Sequence, residues 1–295
     1  MARSVTPYPA TSRSTPPRDG DPGAERYAFT GESSHGRQTT GRYPGGMTFS
    51  PARTGPATLR AAMAERVVVA DGAMGTMLQS HNLVLDDFIG LEGCNEILNV
   101  TRPDVVASVH DAYYAVGVDC VETNTFGSNW ANLAEYDIAD RIYELSEAGA
   151  RIAREVADGW STPEQPRWVI GSVGPGTKLP TLGHVRFVKL RDAYEEQVAG
   201  MLAGGVDSVL VETAQDLLQA KAAIIGAKRA IKAAGIDVPV WVQVTVETTG
   251  TMLLGSEIGA ALTALEPLGV EAIGLNCATG PAEMSEHLQI GRAHV

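Results

Sequence analysis

A chain of 295 residues, 44% of them hydrophobic, is long enough for one large globular domain with a substantial core. Its net charge of −12 is unevenly spread: eight arginines against four acids fall in residues 1–60, so the remainder is strongly acidic, which argues against nucleic acid as a main partner because phosphate neutralisation needs clustered Lys and Arg. No run approaches the ~18 apolar residues of a membrane span, the N-terminus lacks the apolar core of a secretory signal, and three widely spaced cysteines (Cys94, Cys120, Cys277) make no disulfide framework, so a reducing cytoplasm is the expected compartment.

Residues 1–58 are rich in Pro, Gly, Ser, Thr and Arg (TPYPATSRSTPPRDGDPG) and carry no apolar period, which predicts a disordered tail ahead of a folded domain over 59–295. From residue 66 short apolar runs recur: RVVVADGAMG (66–75), VDCVETNTFG (118–127), RWVIGSVGPG (167–176), DSVLVETAQD (207–216), VWVQVTVETTG (240–250) and EAIGLNCATG (271–280). Each is hydrophobic on both faces and ends in small, polar or acidic residues, the pattern of a parallel strand buried on both sides.

Helical stripes fill the gaps. Thr101 is predicted to cap the first, with Pro103 in the first turn, Val105, Val109, Tyr113 and Val116 facing the core, His110 beside the stripe and exposed, and Gly117 as the stop. Ile138, Ile142, Leu145, Ile152 and Val156 form a second stripe ending at Gly159. Tyr194, Val198 and Leu202 precede Gly204 and Gly205; Leu217, Leu218, Ala222, Ile225 and Ile231 precede Gly235; Ile258, Leu262 and Leu265 make the last.

Six β-then-α units imply a parallel sheet, either doubly wound or part of a (β/α)8 barrel. The first requires G-x-G-x-x-G after the first strand, and DGAMGT lacks that spacing. The second expects polar residues at the C-terminal ends of several strands. They stand there: Asp71, then Glu122, Thr123 and Asn124, then Glu212, Glu247, and finally Asn276 and Cys277. At about 38 residues per unit the chain ends before eight units are complete. The predicted fold is therefore an α/β (β/α)8 TIM-type barrel lacking about its last two units, preceded by the disordered tail.

Taken alone, Cys277 is compatible with a small core residue or with a ligand or nucleophile; its position in the ring of Asp71, Glu122 and Glu212 favours chemistry. Cys94, in a loop, and Cys120, inside a strand, fit the core. Asp71 and Glu212 either accept loop N–H groups or recognise a cationic group, such as an α-amino group, in a partly desolvated mouth. The histidines show no H-E-x-x-H, and the glycine-containing loops SVGPGTKLP and ETTGTMLLG lack a phosphate-cradling pattern.

Together and in order, ADGAMGT, GCNEILNVTRPDVV, CVETNTFGSN, GSVGPGTKLPTLG, VETAQD and GLNCATGP resemble the homocysteine-binding domain of cobalamin-dependent methionine synthases, within the homocysteine S-methyltransferase family, over about residues 66–290. The resemblance implies a (β/α)8 barrel in which zinc, held by three cysteines, takes the homocysteine thiol as its exchangeable ligand. Cys277 matches the first of those cysteines, and the other two belong to a G-G-C-C-G stretch that this chain does not contain. A free thiol is only ~3% thiolate at pH 7, so zinc supplies the nucleophile that attacks methylcobalamin. Asp71 and Glu212 match acids that hold the substrate ammonium, backbone near Gly72 and Thr125 matches its carboxylate side, and Asn276 adjoins the metal ligand and positions its loop. Glu122 and Glu247 match no role. No D-x-H-x-x-G occurs, so cobalamin and methyltetrahydrofolate are assigned to modules beyond this chain, and the closing IGRAHV departs from the family pattern. Two alternatives stand beside this expectation: a homocysteine methyltransferase using betaine or S-methylmethionine, against which GCNEILNVTRPDVV speaks, and an inactive truncated barrel short of two zinc ligands.

Overall fold

The structure, a computed structural model, describes residues 58–292; the tail over 1–57 and the last three residues, with the expectations that fall on them, lie outside the described residues. In chain order the elements are α1 (Leu59–Glu65), α2 (Met74–Gln79), α3 (Leu98–Thr101), α4 (Pro103–Ala115), β1 (Cys120–Glu122), α5 (Trp130–Leu133), α6 (Ile142–Trp160) and β2 (Trp168–Val173). There follow α7 (Phe187–Gly204), β3 (Ser208–Ala214), α8 (Leu217–Ala234), β4 (Val240–Val244), α9 (Ile258–Leu265), β5 (Ala272–Leu275) and α10 (Pro281–Arg292).

All the strand pairs are parallel and the sheet order is β1-β2-β3-β4-β5, the order of the chain itself. A doubly wound sheet reverses its order at a switch point, whereas successive crossovers in one direction build a barrel wall. Among the described residues this wall stays open.

The first predicted strand is reduced to an edge. Only Ala70 bridges to Cys120; Asp71 N–H donates to the Cys120 carbonyl at 3.1 Å, and Cys120 N–H to the Val69 carbonyl at 3.1 Å. Val67 and Val69 lie exposed, because β1 is three residues long and offers them no further partner. Asp119 fastens this edge: its carboxylate takes two hydrogen bonds from Arg66, at 2.7 and 2.9 Å, and one from Val69 N–H at 2.9 Å.

Strand alternation then sorts the side chains. Val121, Val169, Val173, Val209, Val211, Val240, Val242 and Val244 face the helices and share one core with Tyr194, Val198, Leu202, Ala223 and Ile224. Close helix packing depends on small residues: a Cβ on Gly204 of α7 would stand 2.5 Å from the Ala150 Cβ of α6. On the other face Cys120, Trp168, Ile170 and Leu210 pack against Leu59 and Ala62 of α1, which forms an apolar floor at the N-terminal ends of the strands. Arg60 ties that floor down by ion pairs to Asp237 at 2.8 Å and Glu271 at 2.6 Å.

Two helix expectations are corrected. Thr101 ends α3, its hydroxyl donating to the Ile97 carbonyl at 3.1 Å, so α4 begins at Pro103 without a side-chain cap. His110 is fully buried rather than exposed, because α4 is covered by α2, α3 and α6 together and buries more than one stripe. Val116, beyond the end of α4, is exposed. Gly117, Gly205 and Gly235 end their segments at positive φ, where a Cβ would be strained. No described helix is long and apolar enough to cross a membrane.

Candidate functional site

With the floor sealed by α1, polar side chains collect at the opposite, C-terminal end of the strands. Asp71, Glu122 and Glu212 meet there. Asp71 follows the edge segment, and its Oδ1 accepts the Glu122 N–H at 2.9 Å. The carboxyl groups of Glu122, at the end of β1, and Glu212, on β3, are hydrogen-bonded to each other.

Glu212 is buried and has donors on both oxygens: Ser172 Oγ donates to Oε1 at 2.5 Å, and Asn276 Nδ2 to Oε2 at 3.2 Å. Donors favour the ionised form. Two ionised carboxylates cannot hydrogen-bond, so the pair shares a proton, and it sits on Glu122. Burial, followed by the charges of Glu212 and Asp71, pushes the Glu122 carboxyl well above the usual range. Burial also raises Glu212, against the Ser172 bond. Asp71 is pushed up to about 7 by burial, opposed in part by the Glu122 N–H. No described cationic side chain contributes to any of the three shifts.

The neighbouring wall is a ladder of hydroxyls. Thr123 Oγ1 lies 2.6 Å from Thr125 Oγ1 and accepts Ser172 N–H at 3.0 Å, while the Thr125 hydroxyl donates to the Ser172 carbonyl at 2.8 Å. Thr125 is wholly buried, its N–H bonded to the Thr123 carbonyl and its carbonyl to Gln197 Nε2. Its groups are occupied, so the mouth has no free Thr125 backbone to offer a carboxylate. Gly72 is exposed at the mouth, and a Cβ there would stand 3.9 Å from the Tyr113 hydroxyl.

Cys277 is exposed just beyond β5, at φ 61°, while Cys94 and Cys120 are buried in separate apolar clusters. Its Sγ lies 3.6 Å from Thr213 Oγ1. A thiolate donor suits zinc, but a catalytic zinc takes three protein ligands. Among the described residues no group of three His, Cys, Asp or Glu side chains could hold a metal ion, so they do not form a complete zinc site.

Glu247 lies apart in the loop after β4, where its backbone closes a turn with Gly250 at 2.9 Å. Ser172, Thr213 and Tyr113 enter the site without having been singled out for it in the sequence. The first two sit in quoted motifs, GSVGPG and VETAQD, and alternation from Ile170 or Leu210 would have turned Ser172 inward.

Residues 68–294 match the family model described as homocysteine S-methyltransferase. The methionine synthases of Mycobacterium tuberculosis (strain H37Rv) and Mycobacterium leprae (strain TN) are each 66% identical over 227 residues, which is 77% of this chain. The chain spans 19% of the length of these relatives. Among solved structures, the homocysteine methyltransferase MmuM from Escherichia coli in its metallated form superposes with a TM-score of 0.66 at 20% identity, covering 80% of this chain and 83% of that one. Its oxidised form gives 0.65 at 20% identity, over 80% and 82%. At that identity the likeness establishes the fold.

Proposed function

Because the chain belongs to the homocysteine S-methyltransferase family, a family of methyltransferases, we propose that it is the homocysteine-holding part of a cobalamin-dependent methionine synthase. The observation that carries this reading is the group of three buried carboxyls at the strand mouth, to which no described cation contributes. An α-ammonium group brings the missing positive charge and up to three N–H donors. Asp71 and Glu212 receive it, and Ser172 and Asn276 hold Glu212 in place. The exposed backbone at Gly72 is left for the carboxylate end.

The side chain of the bound amino acid then runs toward Cys277. In the reaction the thiol sulfur, having lost its proton, forms a bond to the methyl carbon as the methyl–donor bond breaks, and methionine leaves. By the family resemblance Cys277 is one zinc ligand, and zinc when bound keeps the substrate sulfur ionised. The described residues supply only this one thiolate at the mouth, so no step is derived through the metal. The same resemblance assigns methylcobalamin and methyltetrahydrofolate to partner modules.

Calorimetric titration tests the amino-group contact. L-Homocysteine should bind at least about tenfold more tightly than 4-sulfanylbutanoate, which lacks the amino group. Glu212→Gln should erase most of that difference. Equal binding of the two compounds would refute the assignment.

A further inference from the structure

Between Val211 and Ala214, β3 has one residue more than its partner β4 has between Val242 and Val244, so the ladder carries a bulge at Glu212 and Thr213. Thr213 sits at φ 54°. Positive φ is an outlier for a β-branched residue, and it persists only where the surroundings enforce it. Asn276 does so from across the sheet: its Oδ1 accepts the Thr213 N–H at 2.9 Å and its Nδ2 donates to Thr213 Oγ1 at 2.9 Å. The same Nδ2 reaches Glu212 Oε2 at 3.2 Å, and Thr213 Oγ1 in turn lies 3.6 Å from Cys277 Sγ. Cys277 and Ala278 continue at φ 61° and 55°, two more non-glycine residues in left-handed conformation.

The geometry points to Thr213 as a positioning residue: clasped by Asn276 in a strained bulge, it fixes the spacing between the carboxylate that receives an amino group and the sulfur of Cys277. An ordinary strand would have no need of this. Without the extra residue, every side chain of β3 beyond Val211 would turn to the other face, taking Glu212 out of the mouth. The hydroxyl joins the two ends, since it is the single atom that touches both Asn276 and the Cys277 sulfur. This inference rests on the proposed amino-acid site only for its ligand, since the clasp itself is a property of the protein without ligand.

The test uses the full chain and three variants, Thr213→Gly, Thr213→Ser and Asn276→Ala. The probe is L-methionine, which has no thiol proton to lose. Glycine adopts φ 54° without strain, so Thr213→Gly should melt no lower than the unsubstituted chain. It should nevertheless bind L-methionine about tenfold more weakly and exchange the amide protons of 276–279 about tenfold faster. Thr213→Ser, which keeps the hydroxyl, should stay within about twofold on both measures, and Asn276→Ala should behave as Thr213→Gly does. Thr213→Gly matching the unsubstituted chain in binding and in exchange would overturn the inference, as would Thr213→Ser failing as badly as glycine. Should the unsubstituted chain bind no L-methionine, the functional reading falls, and amide exchange alone still decides the clasp.

Discussion

Glu122 and Glu212 share a hydrogen bond between their carboxyl groups, with Ser172 and Asn276 donating on the Glu212 side. The native chain therefore keeps a proton on Glu122 at pH values where the unfolded chain, with a glutamate near ~4.3, has lost it. Where the native state binds more protons, stability falls as pH rises. Glu122→Gln keeps an N–H donor for Glu212 and removes the titration. Its melting temperature should exceed that of the unsubstituted chain by roughly 3 °C at pH 8, with the gap closing at pH 5, where the glutamate is protonated. A constant gap across that range would mean that Glu122 carries no displaced proton.

Asp71 leads to a functional counterpart. Burial pushes it up to about 7, so it is largely neutral at pH 6 and largely ionised at pH 8. An ammonium ligand is attracted to the ionised form, and affinity for L-homocysteine should rise several-fold across that interval, to about tenfold at most for one proton. Asp71→Asn should bind more weakly at pH 8 and flatten the profile. Parallel profiles for the two proteins would separate Asp71 from the ligand.

Much of this was legible in the sequence, for identifiable reasons. Runs such as RWVIGSVG are apolar on both faces because β2 has a neighbour on each side and helices above, and all six of its residues are buried. The ring of Asp71, Glu122, Glu212, Asn276 and Cys277 followed from strand ends alone. The exposed Val67 and Val69 show the limit: a β-branched run at a sheet edge has the composition of a strand and only part of its pairing. Thr125 misled because a hydroxyl at a strand end resembles a site residue, whereas its partners, the Ser172 carbonyl and Gln197, come from 47 and 72 positions away. Nothing in the letters VET announces a bulge, since threonine is among the residues least suited to positive φ.

Asp216 gives a stability prediction. Its side chain caps α8 by accepting Leu218 N–H at 2.8 Å and Gln219 N–H at 3.3 Å, and it also accepts the Thr181 N–H at 2.9 Å and hydroxyl at 2.6 Å. One side chain thus secures a helix start and the loop after β2. Asp216→Ala should lower the unfolding free energy by about 2 kcal/mol or more, above the usual cost of a lost cap because buried donors are orphaned as well. Urea denaturation at pH 7 measures it, and a change below about 0.5 kcal/mol would show that water replaces the carboxylate.

His110 sets the acid limit of the fold. Its ring is wholly buried, neither nitrogen has a hydrogen-bond partner, and burial lowers its pKa to about 4. The unfolded chain protonates this histidine near ~6.5. Between the two values the unfolded state binds more protons, so the histidine's contribution is intact above about 6.5 and is lost as pH falls toward 4. At pH 5 the loss amounts to about 2 kcal/mol. Asp71 and Glu122 act in the opposite direction over part of the same range, since their raised values favour the folded state on acidification. The pH curve of the unsubstituted chain alone therefore cannot isolate His110, and the comparison must be with His110→Leu, which fills similar space with no titrating group. The difference in unfolding free energy between the two proteins should widen in favour of the leucine variant by about 2 kcal/mol from pH 7 to pH 5. Curves that stay parallel would place the His110 ring in contact with water or a donor, and would remove histidine protonation as a cause of acid unfolding.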